Sequence, residues 1–453
     1  MRATVHPGGF RGGEATVPGD KSIAHRWLIL AGIANGRSEL SGLPAALDVR
    51  STARCMGALL GGADGAALEG WASDPAPAPD GDRSTTNGPR PRGTTVAVET
   101  QGRGALQAPG RPLDCGNSGT TMRLLAGVLA AAPFEAVLEG DESLSRRPMQ
   151  RVAEPLRSMG AEVATTDGHA PMRVRGGPLR GIEHETPVPT AQVKSAVILA
   201  GLEAEGETIV REGAQTRDHT ERALEHLGAP IRIARGSVSV RAFRPPAFSG
   251  SVPGDVSSAA FLVAAAALTG RALTVRNLGV NPTRTGFLGV LERMGVRTRL
   301  EIEREELGEP VGSLTVEPCE GLRGTTVEPD ELPLVVDEVP VLALLAAHAS
   351  GDTWFAGAAE LRLKESDRLG GVAEAISRLG GTAGVEGSDL VIGGGGLGGG
   401  VADARGDHRM AMAIAVSALA ARAPVTVEGI EAAEVTFPGF VPSLVALGAR
   451  VEG

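Results

Sequence analysis

The segment Lys364-Glu365-Ser366-Asp367-Arg368, with Arg362 just ahead of it, sets two carboxylates, Glu365 and Asp367, between two cations. Leu369, Val372, Ile376 and Leu379 follow at helical spacing, which predicts a helix with this cluster at its start. On its own such a cluster reads as a solvated helix start. Six other helix starts share the layout. Gly19-Asp20-Lys21-Ser22 precedes the apolar run 23–31, with Arg26 one turn further in. Gly116-Asn117-Ser118-Gly119-Thr120-Thr121 precedes Met122-Arg123-Leu124 and offers hydroxyls and bare backbone N–H groups. Ser145-Arg146-Arg147-Pro148 leads into 152–156, and Thr190-Ala191-Gln192-Val193-Lys194 into 196–202. Thr216-Arg217-Asp218-His219 leads into 224–227, and Asp407-His408-Arg409 into 410–419. Each is ordinary by itself. A lysine or arginine at a helix N-terminus opposes the macrodipole, however, and repeating that arrangement has an electrostatic cost unless an anion sits between the charges. The set predicts helix N-termini converging on multiply charged anions. Phosphate and carboxylate suit bidentate arginine.

Acidic groups are fewer. Glu365 lies between Lys364 and Arg368, and Asp337-Glu338 interrupts an otherwise apolar stretch, 334–345. A cation about 4 Å from a carboxylate stabilises it by roughly 4 kcal/mol at an effective dielectric near 20. Glu365 is therefore expected to have a depressed pKa without substrate, and bound anions would raise it, which suits proton transfer. Asp337 is a candidate base or hydroxyl acceptor, or else a helix N-cap.

These groups need a scaffold. A chain of 453 residues with 42% hydrophobic content exceeds one ordinary core, so two domains are expected. A short signature, an apolar helix end followed by glycine, recurs at Gly61, Gly160, Gly228, Gly295, Gly380 and Gly448. Glycine there is the usual cap, because no Cβ resists positive φ. Successive spacings are 99, 68, 67, 85 and 68 residues. Six near-regular copies of a helix-and-strand unit predict a repeat architecture of α/β class rather than a dinucleotide-binding domain. The first spacing is long because residues from about 71 to 112 are rich in Pro, Gly, Asp, Arg and Thr and read as a surface insertion. A short strand near 94–98 is compatible with that reading. Glycine-rich 393–400 lacks Gly-Lys-Ser/Thr and a following apolar helix, so it reads as a loop between strands.

Net charge of −10 argues against nucleic acid or an acidic membrane surface as the main partner. Cys55, Cys115 and Cys319 are odd in number and far apart, and neither a CxxC nor a zinc-type His/Cys spacing occurs. Reduced thiols and no structural metal are expected. The apolar runs 259–268 and 410–421 are too short to span a bilayer, and the N-terminus shows no basic stretch followed by an apolar one. A cytoplasmic protein without membrane partners is expected.

Taken together, Pro18-Gly19-Asp20-Lys21-Ser22-Ile23-Ala24-His25-Arg26, Gly116-Asn117-Ser118-Gly119-Thr120-Thr121, Arg147-Pro148, Ala191-Gln192-Val193-Lys194-Ser195, Arg217-Asp218-His219-Thr220, Lys364-Glu365-Ser366-Asp367-Arg368 and Asp407-His408-Arg409-Met410-Ala411 resemble the EPSP synthase family (5-enolpyruvylshikimate 3-phosphate synthase, 3-phosphoshikimate 1-carboxyvinyltransferase). The resemblance spans nearly the whole chain apart from the insertion. It implies a two-lobed enolpyruvyl transferase fold of six βαβαββ units, three per lobe. Lobe I would comprise 1–19 plus 254–453, with Asp337, 364–368 and Arg409. Lobe II would comprise 20–253, with Lys21, 117–120, Arg147, Gln192 and Arg217, and a flexible insertion near 73–110. The implied reaction moves the enolpyruvyl group of phosphoenolpyruvate (PEP) to the 5-hydroxyl of shikimate 3-phosphate through a tetrahedral intermediate and releases phosphate. It needs neither metal nor organic cofactor, and the resemblance implies a monomer.

Carried over by motif, Lys21, Ser22, Arg26, Thr190, Ala191, Gln192, Thr216, Arg217, Asp337 and Lys364 would hold shikimate 3-phosphate. Lys21, Asn117, Gly119, Thr120, Arg147, Gln192, Arg368 and Arg409 would hold PEP. Glu365 would protonate the PEP methylene, and Asp337, alone or with Lys21, would be the base on the 5-hydroxyl. Gly119 would leave room for glyphosate. Some positions depart from the family's common pattern. Thr190 replaces serine, Ala24 and Trp27 replace smaller or hydroxyl residues, and no lysine precedes Phe437-Pro438. The chain has no tyrosine, and His219 stands in the region where some members place one beside the shikimate ring. The related UDP-N-acetylglucosamine enolpyruvyl transferases carry Lys-Asn and a reactive cysteine before Arg-Pro. Here Lys21-Ser22 and Glu142-Ser143 stand instead, and Cys115 reads as a small buried residue. A paralogue acting on another cyclohexene phosphate, or a non-catalytic anion-binding scaffold, is a further alternative.

Overall fold

Two separate apolar cores organise the chain in this computed structural model, which describes residues 1–62 and 94–453. One core draws on residues 3–17 and 256–449, the other on 23–252 together with Leu307. We refer to the bodies around them as lobe I and lobe II. Lobe II holds α1 (Lys21–Ile33), α2 (Leu47–Leu59), α3 (Gly119–Leu129), α4 (Glu142–Ser145), α5 (Gln150–Met159), α6 (Ala191–Gly201) and α7 (His219–His226). Lobe I holds α8 (Val256–Thr269), α9 (Gly286–Arg293), α10 (Leu332–Val335), α11 (Val339–Ala346), α12 (Arg368–Arg378), α13 (His408–Ser417) and α14 (Phe440–Ala446).

The helices fall into two kinds. α11 and α13 are buried along their whole length, and α1 is buried from Ile23 onward. α3 and α6 are nearly as enclosed. A helix that is apolar all round can only be an inner one. α5, α7 and α12 bury one stripe and expose charged residues on the other, so they form the outer layer. Fixed inner helices give fixed N-termini, and four of the seven charged motifs, those at α1, α3, α6 and α13, stand at such termini; the other three precede the outer helices α5, α7 and α12.

Among the described residues, five four-stranded sheets share one pairing order. In each, a parallel pair is followed by two antiparallel neighbours. In lobe I, for example, Gly13–Ala15 runs parallel to Leu273–Gly279, which pairs antiparallel with Glu309–Val316, itself antiparallel to Thr298–Glu306. A three-stranded sheet in lobe II repeats the order one strand short: Ser249–Ser251 is parallel to Asn35–Leu43, which is antiparallel to Thr94–Gln101. That last strand corrects the reading of 71–112 as surface insertion. Val96, Val98 and Thr100 are buried in it, so the described part, from 94 onward, is structural. Residues 63–93 of that segment lie outside the described residues.

All six signature glycines close their helices with positive φ, between +79° and +116°, as the absence of a Cβ allows. Residues 393–400 form the connection between strands Asp389–Gly393 and Gly400–Asp403, away from the cleft described below.

The chain passes between the cores twice, after Val17 and after Val252. The two passages lie side by side. Asp20 N donates to Pro253 O at 2.7 Å, and Asp255 N to Pro18 O at 2.8 Å. One further element crosses. The turn after Thr298–Glu306 inserts Leu307, 3% exposed, into the core of lobe II, and Glu306 Oε1 accepts from Ser251 N at 2.9 Å. Leu307 belongs to 254–453 by sequence and to lobe II by packing. Burying a leucine stabilises by about 2 kcal/mol, enough to seat the hairpin tip there.

Candidate active site

Between the lobes lies a cleft of about 430 Å³. Lys21 and Ser22 enter it from the start of α1, Gly119 and Thr120 from α3, and Ala191 and Gln192 from α6. Arg26, Asn117, Arg147, Thr190, Thr216 and Arg217 complete the lobe II wall. Lobe I contributes Asp337, Lys364, Glu365 and Arg409. The sequence-predicted residues thus meet in one place, with one exception. Arg368 is fully buried and does not line the cleft.

The local reasons are visible. Asp20 caps α1, accepting from Ser22 N at 2.7 Å and Ile23 N at 3.0 Å, which leaves Lys21 and Ser22 facing outward. Ser118 caps α3 through Thr121 N. Asp407, fully buried, caps α13 through Arg409 N at 2.9 Å and holds Arg368 at 2.8 and 3.2 Å. The charged cluster itself precedes its helix rather than forming the first turn: α12 begins at Arg368, capped by Asp367. Residues 364–367 are a short connection from the 3-10 turn Ala358–Leu363. Asp337 sits between α10 and α11 and caps neither, which answers the alternative raised for it.

Among the described residues, eight lysine and arginine side chains and four carboxylates line the cleft. Glu365 is one of the points where the lobes meet. Arg368 Nη2 lies 2.7 Å from its Oε2, and Arg147 Nη1, from lobe II, 3.8 Å from Oε1. Ser143 Oγ, also in lobe II, donates to the Glu365 carbonyl at 3.1 Å. Burial would raise the Glu365 pKa, but Arg368 and Arg147 outweigh it and hold the carboxyl well below its ordinary range. Asp337 follows the same logic. Burial opposes ionisation, and Arg409, Arg217 and Lys364 override it. Arg217 Nη2 pairs directly with Asp337 across the lobes, and Arg409 Nη1 donates to the Asp337 carbonyl at 2.9 Å. Burial, only partly offset by Asp337 and Glu365, lowers Lys364. Burial also pushes His408, behind Glu365, down to about 3, so it is neutral near pH 7.

Several functional candidates escaped sequence reasoning. Asp48 holds Lys21 Nζ at 2.9 Å and lines the cleft. Arg123 fixes Gln192 at 2.5 Å and the Pro148 carbonyl at 3.0 Å; its place one turn after Gly119 was the available signal. Arg151 joins Glu360 across the cleft at 2.9 Å. His219, expected near the substrate ring, does not line the cleft. It is 2% exposed and packs between Glu309 and Arg284. Trp27 is buried against Phe248, not in the cleft. Cys115 is buried, as expected. Among the described residues, no group of three or more His, Cys, Asp or Glu is placed to hold a metal ion, and no helix is long and apolar enough to cross a membrane.

Comparison with known proteins decides the family. The profile for EPSP synthase (3-phosphoshikimate 1-carboxyvinyltransferase) matches residues 7–68 and 90–444. The chain belongs to the EPSP synthase family. A 3-phosphoshikimate 1-carboxyvinyltransferase from Halorhodospira halophila is 46% identical over 453 residues, covering 99% of this chain and 96% of the relative. One from Acidithiobacillus ferrooxidans is 43% identical over 444 residues, covering 97% and 96%. Among solved structures, EPSP synthase from Acinetobacter baumannii superposes with a TM-score of 0.82 at 35% identity, each chain covered completely. The two-lobed α/β architecture is that of the family. The chain is accordingly an enzyme of the shikimate pathway, a carboxyvinyl transferase.

Proposed function

We propose that the interlobe cleft binds PEP and shikimate 3-phosphate together and moves the enolpyruvyl group between them. Shikimate 3-phosphate lies against Ser22, Arg26, Thr190, Ala191, Gln192, Thr216 and Arg217, with Asp337 and Lys364 reaching it from lobe I. PEP lies between Lys21, Asn117, Gly119, Thr120, Arg147 and Gln192 on one side and Arg409 on the other. Arg368 is buried behind Glu365, so it acts on PEP through that carboxylate.

Fixing two anions side by side converts a bimolecular step into a local one, and removes the like-charge repulsion between them. Once the anions offset the surrounding cations, Glu365 takes up a proton and delivers it to the PEP methylene carbon. The 5-hydroxyl oxygen bonds to C2, and its proton passes to Asp337, alone or with Lys21. Loss of phosphate from the tetrahedral intermediate, with return of a methyl proton to Glu365, gives the product. Lobe closure would exclude water during these steps. The supporting observation is that Glu365 sits where a lobe I and a lobe II arginine converge.

We further infer lobe boundaries at 1–19 plus 254–453 and 20–253, and six copies of one βαβαββ unit marked by the six sheets of common pairing order. A monomer in the cytoplasm fits a site completed within one chain. Steady-state kinetics of Lys21→Ala and Glu365→Gln test the roles. Each is expected to lose about 10²-fold or more in kcat while remaining folded. Near-normal turnover in either removes its role.

A further inference from the structure

We propose that Arg284 is a positioning residue for this reaction: a buried pin at the hinge that sets Lys21, Arg217 and Arg409 relative to one another. The inference rests on those three lining the substrate site.

Arg284 lies in the turn before α9 and is 3% exposed. Its guanidinium reaches both interlobe passages. Nη1 donates to Asp20 Oδ2 at 2.6 Å, and Nη2 to Asp255 Oδ1 at 2.9 Å. These two aspartates are the N-caps of α1 and α8, the first helices after each passage. One planar group therefore ties together the two strands on which the lobes turn. A fork of this geometry can do so, whereas an ammonium cannot hold the same set of partners.

Three connections lead from Arg284 to the cleft. The first is short: Asp20 precedes Lys21 and Ser22 and fixes the helix start that presents them. The second runs through Ser257 and Glu338. Arg284 Nη2 donates to Ser257 Oγ at 2.7 Å, Ser257 Oγ donates to Glu338, and Glu338 lies 3.8 Å from Arg409 Nη1. The third runs through His219, whose Nε2 is 3.2 Å from Arg284 and whose Nδ1 meets Glu309 at 2.6 Å; His219 is two residues from Arg217. The same turn grips lobe II again, Asn281 Nδ2 donating to Asp218 at 2.7 Å. No part of Arg284 lines the cleft, so its effect on the reaction is through these partners.

Buried carboxylates left without their cation are strongly destabilising, so the variants are chosen with that in mind. Arg284→Lys keeps the charge and loses the fork. Ser257→Ala keeps every buried charge and cuts only the link to Glu338. Both are assayed in the full chain for kcat, for KM of each substrate, and for lobe closure on adding shikimate 3-phosphate, read by small-angle scattering. Arg284→Lys is expected to lower kcat by up to about 10²-fold, as for a small misplacement of reacting groups, and to weaken closure. Ser257→Ala is expected to stay folded, with a several-fold rise in the KM of PEP. A merely structural residue would lower the melting temperature and leave these constants alone. The proposal is overturned if Ser257→Ala has wild-type constants, or if a folded Arg284→Lys does. Lys21→Ala serves as the reference: its inactivity beside a normal Arg284→Lys removes the pin only, whereas its full activity removes the site assignment itself.

Discussion

Glu365 and Asp337 are held ionised by their neighbours, and that has consequences that can be measured. In the protein alone both carboxyls sit well below the ordinary range, against the pull of burial. Such groups contribute folding stability that is fully present above their unfolded values near 4 and is lost as pH falls through the lower folded values. Binding acts in the opposite direction. Two anions bound beside these carboxyls as proposed would offset Arg147, Arg368, Arg217 and Arg409 and so raise both pKa values. Binding within the window between free and bound values therefore takes up protons, and affinity increases as pH is lowered within it. Calorimetry in buffers of different ionisation heat should show net uptake when both substrates bind; strict absence of uptake would contradict the proposed role of Glu365. Gly119 gives a second test. A Cβ there would stand 2.6 Å from Arg123 Nη1 and 3.5 Å from Arg147 Nη1. The Arg123 end is flexible, so Gly119→Ala should fold, shift that guanidinium off Gln192, raise the KM of PEP severalfold and weaken glyphosate inhibition. Wild-type inhibition in this variant would show that Gly119 does not border the inhibitor. At this scale most of the site was legible, because lysine or arginine at a helix start is conspicuous against the macrodipole. Arg284, Asp48 and Glu360 were not legible. Their partners lie far away in sequence (Arg284 and Asp20 are 264 residues apart), and no local pattern marks such a pairing.

At the scale of elements, inner helices fix the site and the sheets hold those helices. The helix ends were legible, since each signature glycine adopts the positive φ its position demands. The sheet partner of Asn35–Leu43 was harder to read. A short strand at 94–98 was compatible with the sequence, but the Pro- and Gly-rich composition around it made the segment read as surface, whereas Val96, Val98 and Thr100 are buried. A deletion of 74–103 takes this strand out of the sheet and exposes the underside of α1. It should abolish folding of lobe II, as judged by circular dichroism and insoluble expression. An active, cooperatively folding deletion would show the strand to be dispensable. The Leu307 hairpin is a different kind of element, anchored in one lobe and packed in the other. Nothing in its own sequence says which core receives the tip. Leu307→Ala should cost about 2–4 kcal/mol in lobe II stability, read from denaturant unfolding. An unchanged midpoint would mean that the tip leaves its socket freely.

The whole molecule is acidic, with a net charge of −10, yet its cleft gathers eight basic side chains. Concentrating positive charge between two lobes draws anionic substrates into a region where field lines are focused by low-dielectric walls. It also explains why pairs such as Arg217 with Asp337 and Arg151 with Glu360 span the gap: in the protein alone, cross-lobe carboxylates balance part of that charge. Substrate anions bound as proposed would compete for the same cations, and so would couple binding to the position of the lobes. Two domains followed from chain length and six repeated units from the helix ends, and their grouping into two lobes from the family resemblance, whereas the adjacency of the two passages depends on contacts between residues near 19 and 254 that only folding brings together. The central claim is that this cleft catalyses enolpyruvyl transfer between two specific anions. Its most direct test is release of inorganic phosphate by the purified full chain. With PEP and shikimate 3-phosphate together, phosphate should appear in step with enolpyruvylshikimate 3-phosphate, and omission of either substrate, or Glu365→Gln, should suppress it. A folded protein that releases no phosphate from that pair would contradict the account.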